Sequence, residues 1–258
     1  MLENIQHKNF RIKDLKYKTD EKNSRRVLEL REKYNRKFNQ DEQKKLAFSK
    51  KVEFIYDTTT LEGNTYTYAE TETLLSGVTI GGHSLKEENE ILDQKEAWEL
   101  TLNNAFLKSS VEITESLIKD IHLLVGKDTV VRPGQYRDGR VKIGGTNYTP
   151  PKTKEEIEKQ IKNFLVDFNN LQEEIYLKAI ILHFVIALIQ PFYDGNKRTA
   201  RLMMNFLLLQ NDYPLFSVPA KMRKEYVDAM IAGYESLDIN KLVELLEKLM
   251  IRDLEEMV

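Results

Sequence analysis

Residues that break helices are sparse in this chain, and this constrains its fold more than any other feature. The 258 residues include six prolines and eleven glycines, so long stretches are free of the residues that disfavour a helix interior. Between these breakers, apolar side chains recur with helical periodicity. The sequence therefore predicts a mostly α-helical protein.

The periodicity also predicts where the helices lie. We expect helices at 24–50, 59–76, 86–107, 114–124, 154–171, 174–189, 196–209, 220–234 and 240–257. Between 134 and 151 the pattern changes, and Asp138-Gly139 is a strong signal for the tight turn of a β-hairpin. No extended linker separates two parts of the chain, so we expect one domain.

Composition narrows the classes of function. A net charge of −2 and a predicted pI of about 6.2 give no general positive field, so we expect no nucleic-acid partner. Cysteine is absent, which excludes disulfides and thiolate metal sites. No apolar run approaches the roughly 20 residues that span a bilayer, and the first residues lack a signal-peptide pattern. We therefore expect a cytoplasmic protein without membrane contact.

A polar segment, QPFYDGNKRTAR at 190–201, separates two apolar helical stretches. Pro191 ends the first helix, Gly195 permits backbone angles closed to other residues, and Asn196 is a favourable N-cap for the second helix. The backbone amides at such a helix start form a ready anion site. The segment therefore predicts a phosphate-binding loop.

Charged side chains in the same segment sharpen this prediction. Arg198 and Arg201 lie three residues apart on the first turns of the second helix, and their guanidinium groups suit phosphate oxygens. Asp194 would be repelled by a bare phosphate, so its presence indicates a divalent cation between the two.

This segment resembles the signature of the Fic family, H-x-F-x-[DE]-G-N-[GK]-R-x-x-R. Every specified position matches except the first, where Gln190 replaces the catalytic histidine of the family. The resemblance implies a Fic-type helical bundle with a β-hairpin, called the flap, over the active site. Residues 134–151 resemble that flap. Its expected target-binding part is Val141, Lys142, Ile143, Gly144, Gly145 and Thr146; a surface hairpin without function is the alternative.

The residues around Glu62 resemble a second Fic motif, [ST]-x-x-x-E-[GN], with Thr58 and Gly63 at its other fixed positions. In the family this inhibitory motif lies on a helix near the active site, which here would be about 58–76. The resemblance implies that Glu62 pairs with Arg201 in the place of the γ-phosphate of ATP. An ordinary helix glutamate is the alternative.

The resemblance also implies roles in binding ATP. Asp194 would hold Mg²⁺, and the expected nucleotide-binding residues are Gly195, Asn196, Lys197, Arg198, Arg201 and Tyr226. Tyr226 would line the adenine pocket, with a packed core aromatic as the alternative. A lysine at the position of Lys197 also occurs in the kinase-like Doc branch, whereas most adenylylating members have glycine there. Arg201 and Glu62 favour the adenylylating branch.

Most Fic proteins transfer AMP from ATP to a Ser, Thr or Tyr hydroxyl of a target protein. Gln190 cannot accept the proton of that hydroxyl, and loss of a general base typically costs about 10²–10⁴-fold in rate. The expectation is therefore a self-inhibited protein adenylyltransferase with weak or absent activity. The alternative is a non-catalytic Fic pseudoenzyme that binds nucleotide or peptide. The resemblance also leaves a homodimer open.

The resemblance divides the chain into three parts of one domain. We expect an N-terminal extension with a charged helix at 1–50, a core at 51–238 and a C-terminal helix at 239–258.

Overall fold

The computed structural model describes residues 5–107 and 111–258, and these are mostly helical. The helices are α1 (Glu21–Lys37), α2 (Gln40–Ser49), α3 (Lys51–Thr60), α4 (Tyr68–Leu75), α5 (Leu85–Ala105), α6 (Glu115–Val125), α7 (Lys154–Asn169), α8 (Ile175–Ile189), α9 (Asn196–Gln210), α10 (Arg223–Ser236) and α11 (Asn240–Met257). The prediction of a mostly α-helical chain is confirmed.

Helix α8 forms the centre of the molecule. Its sequence is apolar on every side and its residues from Ala179 to Ile189 are all buried, as expected for a helix surrounded by others. It packs most extensively against α9, which in turn contacts α5 and α6, while α1 lies along α11. The loop between α8 and α9 is therefore held by two buried helices.

The charged helix predicted at 24–50 is two helices. The first ends before Phe38, and Asn39 then starts α2, because its side chain accepts a hydrogen bond from the backbone N–H of Glu42. The Glu42 carboxylate in turn accepts a hydrogen bond from the backbone N–H of Asn39, which completes a capping box.

The helix predicted at 59–76 is also divided. Helix α3 ends at Thr60, and α4 begins only at Tyr68. Gly63 has a φ of +100°, which is incompatible with helix continuation. The Asn64 side chain then bonds the backbone of Tyr66 and the carbonyl of Glu87 on α5. Glu62 therefore lies in a turn, Leu61–Gly63, which we call the Glu62 turn.

The predicted β-hairpin at 134–151 is not confirmed, because no strand forms among residues 5–107 and 111–258. Gly139 does not adopt a positive φ, so Asp138-Gly139 does not make the turn expected of a hairpin. The Asp138 carboxylate instead accepts hydrogen bonds from Arg132 and Tyr193. The bond from Tyr193 attaches the segment to the loop after α8, and the bond from Arg132 joins it to the residues just before it.

The described N-terminal residues lie against this segment. Ile5 pairs with Tyr148 in an isolated parallel bridge, and His7 stacks on the ring of Tyr148.

In the part of the chain that the structure describes, every helix is too short or too polar to cross a bilayer.

Candidate active site

The loop from Gln190 to Gly195 turns the chain sharply between α8 and α9. Both of these residues have left-handed backbone angles, with φ of 49° and 74°. Gly195 is the N-cap of α9 and Asn196 is the first helical residue, so the prediction of Asn196 as N-cap is wrong. Its amide closes the loop instead, bonding both backbone groups of Phe192. Gly195 has no side chain with which to cap the start of α9.

The side chain of Gln190 is fixed at both ends. Its Nε2 donates to the carbonyl of Ala187 at 2.7 Å, and its Oε1 accepts from Asn196 Nδ2 at 3.0 Å. Only 9% of the residue is exposed. A carboxamide does not titrate near neutral pH, so this position offers hydrogen bonds but no base.

His122, a residue that the sequence did not single out, fixes the position of the loop at 190–195. Its Nε2 donates to the carbonyl of Asp194, its Nδ1 accepts from the backbone N–H of Gly134, and both distances are 2.9 Å. Its ring stacks on Phe192 with centroids 3.5 Å apart. Burial lowers the pKa of His122 to about 4, so the ring is neutral at pH 7. One imidazole thus joins α6, the loop and the start of residues 134–151, which we call the flap segment.

Arg137 joins the flap segment to Gln190. Its guanidinium is fully buried and donates to the carbonyls of Gln190, Gly139 and Pro151 at 2.6–2.7 Å. Its backbone N–H bonds the carbonyl of Pro191. Burial lowers the pKa of Arg137 to about 10, so the group stays charged at pH 7. No sequence pattern indicates this role, because the partners are backbone carbonyls and Gln190 lies 53 residues along the chain.

The structure places Glu62 between two cations of α9. Its Oε1 lies 2.7 Å from Arg201 Nη2, and its Oε2 lies 2.7 Å from Lys197 Nζ. Burial alone would raise the pKa of Glu62, but Arg201 and Lys197 outweigh it and lower the pKa to about 2. The carboxylate is therefore ionised at any physiological pH.

Arg201 is 2% exposed and uses its other donors on buried partners. Its Nε and Nη2 donate to the hydroxyl and carbonyl of Thr58, and its Nη1 donates to the Tyr226 hydroxyl at 3.2 Å. Tyr226 in turn lies 2.7 Å from His183 Nε2. Because Arg201 can only donate, the Tyr226 hydroxyl accepts from it and directs its own proton to His183.

Arg198 is also buried, at 2% exposure, but its contacts are long. Its Nη2 lies 3.9 Å from both Glu90 and Asp194, beyond hydrogen-bonding distance. Its buried Nη1 has no hydrogen-bond partner in the described part of the chain. This cation therefore keeps donor capacity beside the uncapped start of α9, where anions are favoured.

Asp194 is the candidate metal ligand. Its side chain is 56% exposed, its Oδ1 accepts from the backbone N–H of Gly195, and its Oδ2 lies 3.9 Å from Lys86. The described residues contain no cluster of three acidic or histidine side chains able to hold a metal ion. One accessible carboxylate beside a phosphate site nevertheless fits Mg²⁺, which is commonly bound by one or two carboxylates and substrate phosphates.

A cavity of about 300 Å³ opens beside Glu62 and Lys197. Glu62, Lys197 and Tyr226 line one part of it, and Ile143 and Gly144 of the flap segment line another. The remaining predicted target-binding residues, Val141, Lys142, Gly145 and Thr146, are outside the lining, and the Thr146 hydroxyl bonds Glu235 instead. The cavity thus brings the Glu62 turn, α9, α10 and the flap segment together.

Comparison with known proteins assigns a family to this arrangement. Residues 112–208, which contain the loop and the buried pair α8 and α9, match the Fic/DOC family model. These residues form a Fic/DOC family domain. The Fic domain defined by this match includes Gln190, Asp194, Arg198 and Arg201, while Glu62 lies outside it.

Curated relatives extend the similarity beyond the Fic domain. The protein adenylyltransferase fic-1 of Caenorhabditis elegans is 30% identical over 228 residues, which cover 88% of this chain and 44% of the relative. The protein adenylyltransferase Fic of Drosophila ananassae is 33% identical over 174 residues, covering 67% and 35%. The chain thus spans less than half of the length of these relatives.

A solved structure of C. elegans Fic-1 has the same fold. It superposes with a TM-score of 0.81 and 26% identity, and the match covers 92% of this chain and 71% of the other.

Proposed function

We propose that this chain has a Fic-type protein adenylyltransferase site, built to transfer AMP from ATP to a Ser, Thr or Tyr hydroxyl of a target protein. The observation that carries the proposal is the pair of buried guanidinium groups, Arg198 and Arg201, on the first turns of the uncapped helix α9. The relatives described as protein adenylyltransferases support the reaction type.

The triphosphate would bind along the start of α9. The amides of Gly195 and Asn196 and the unused donors of Arg198 would hold the phosphates nearest the reacting atom, because a helix N-terminus and a buried cation both favour anions. Asp194 would hold Mg²⁺ against the same phosphates. The metal would neutralise phosphate charge there, while the residues of the chain fix the position of ATP.

Self-inhibition by Glu62 is part of the proposal. The carboxylate already occupies Arg201 and Lys197, the cations that a terminal phosphate would need. A phosphate entering beside Glu62 would meet its negative charge at close range, and two unit charges about 4 Å apart near a protein surface repel by about 4 kcal/mol. ATP would therefore bind productively only when the Glu62 turn moves away.

Transfer by the chain with Gln190 is proposed to be weak or absent. The proton of the target hydroxyl needs an acceptor as the bond to the α-phosphate forms, and Gln190 provides none. The two nearby histidines do not replace it: His122 has partners on both ring nitrogens, and His183 is fully buried beneath Tyr226.

The target would be held by the flap segment. A peptide pairing with the backbone of 141–146 would lie at the rim of the cavity, since Ile143 and Gly144 border it. Main-chain pairing of this kind binds extended peptides with little dependence on their sequence.

One observation favours a second function, a non-catalytic module that binds nucleotide or peptide. The Gln190 amide is bonded on both sides within the loop, so position 190 serves the structure of the loop without a base. In that case ATP would bind and no AMP would be transferred.

Nucleotide binding tests the proposed site directly. Glu62→Gln keeps the shape of the side chain but removes its charge. We expect it to tighten binding of ATP with Mg²⁺ about tenfold or more in calorimetry, because charge-assisted hydrogen bonds worth about 1.5–3 kcal/mol no longer compete. Glu225→Gln, at an exposed position on α10, is the matched control. Equal affinities for all three proteins would contradict the proposal.

A further inference from the structure

We propose that Lys197 is a second positioning residue for Glu62, so that release of the Glu62 turn depends on two cations of α9 rather than on Arg201 alone. The inference rests on the proposed function and concerns the regulation of the same site. It assigns to Lys197 a contact with the blocking carboxylate in addition to any contact with nucleotide.

The geometry divides the carboxylate between the two cations. Lys197 and Arg201 are four residues apart on α9 and thus share one face of the helix. Each takes a different oxygen of Glu62, and both distances are 2.7 Å. Neither oxygen is left without a cation, so loss of either contact would free one side of the carboxylate.

The surroundings make the Lys197 contact stronger than an ordinary surface ion pair. The side chains of Lys197 and Glu62 are 28% and 20% exposed, so water and salt screen them less than an exposed pair. Lys197 also lines the cavity with Glu62. It therefore lies where an entering anion must compete for it.

The arrangement defines the ligand that could release Glu62. A group that replaces the carboxylate must satisfy two cations at once, because a displaced Glu62 leaves both Lys197 and Arg201 without their carboxylate partner. The terminal phosphate of a nucleoside triphosphate has the charge and the number of oxygens for this. The gate would thus respond to the terminal phosphate of ATP.

The test compares Lys197→Met with Lys197→Arg, which retains the charge, and with Lys224→Met. Lys224 is an exposed lysine of α10 that pairs with Asp228 at 2.7 Å, which makes it a matched control. We expect Lys197→Met to increase amide hydrogen exchange in residues 61–64 severalfold, because Glu62 is then held by Arg201 alone. Lys197→Arg and Lys224→Met should show the exchange of the parent.

The same substitution in a Glu62→Gln background shows whether Lys197 acts through Glu62. There we expect Lys197→Met to leave the exchange of residues 61–64 unchanged, because the ion pair is already lost. Unchanged exchange in the single variant, or an equal increase in both backgrounds, would overturn the inference. If ATP binds to none of the variants, the proposed function fails, and the exchange comparison still decides whether Lys197 holds the Glu62 turn.

Discussion

Arg201 is the residue on which most of the proposed site depends. It is buried, and its donors are divided among Thr58, Glu62 and Tyr226. A buried guanidinium is stable only when its donors are satisfied. Its orientation therefore depends on residues from three segments of the chain, and a change in any of them should alter both the stability of the protein and the binding of nucleotide.

Tyr226→Phe tests this dependence. The substitution removes the hydroxyl between Arg201 and His183 and leaves both without that buried partner. We expect a loss of about 1–3 kcal/mol in the free energy of unfolding, measured by urea denaturation. Tyr68→Phe, at a residue that is 46% exposed, should change it by less than about 0.5 kcal/mol. Equal effects of the two substitutions would show that the Tyr226 hydroxyl does not support Arg201.

The sequence analysis singled out some residues of the candidate site and not others, for a physical reason. Arg201 and Glu62 belong to short motifs that can be recognised from neighbouring residues. His122 and Arg137 bond backbone groups 72 and 53 residues away, and backbone partners have no residue type to recognise. Such residues become visible only when the fold brings the segments together.

At the scale of structural elements, the Glu62 turn connects α3 to α5 and α9. The periodicity of the apolar residues predicted most of the helices, because most of them bury one apolar face. It did not predict the break after Thr60, since this depends on the backbone angle of Gly63 and on the bond from Asn64 to α5. The flap segment does not form the predicted hairpin for a similar reason. Buried Arg137 bonds it to the carbonyl of Gln190, which is 53 residues away along the chain.

Gly63→Ala tests whether this turn needs glycine. The position has a φ of +100°, and no atom lies within 4 Å of the place that an alanine Cβ would take, whereas Gly81 has equally open space without a positive φ. Strain rather than a clash should therefore destabilise the alanine variant by about 1–3 kcal/mol, measured by urea denaturation. Gly81→Ala should be near neutral or slightly stabilising. A Gly63→Ala protein as stable as the parent would mean that the turn tolerates other backbone angles.

For the whole molecule, the buried pair α8 and α9 carries polar groups whose protonation affects stability. His183 lies in the centre of α8, and burial lowers its pKa to about 3. In the unfolded chain this histidine has a pKa of about 6.5, so it is protonated below that pH, whereas in the folded protein it stays neutral down to about pH 3. The contribution of His183 to the free energy of unfolding is therefore complete above pH 6.5 and decreases as the pH falls below that value.

His183→Gln isolates this contribution, since the amide can still accept from Tyr226. Between pH 6.5 and about 4, the slope of unfolding free energy against pH should be smaller in the variant by about 1.4 kcal/mol per pH unit. Buried Asp93, whose pKa burial raises to about 6, opposes the trend equally in both proteins. Above pH 7 the two curves should run parallel. Identical slopes at acidic pH would show that His183 is protonated in the folded protein.

The proposed reaction is tested most directly by transfer of label from α-labelled ATP with Mg²⁺ to protein. Four versions are compared: the chain itself, Glu62→Gly, Gln190→His and the double substitution. We predict label only where histidine stands at 190, and most in the double substitution, because the base is restored and Glu62 no longer occupies Arg201. A double substitution that binds ATP but transfers no label would contradict the adenylyltransferase proposal and leave the non-catalytic module in its place.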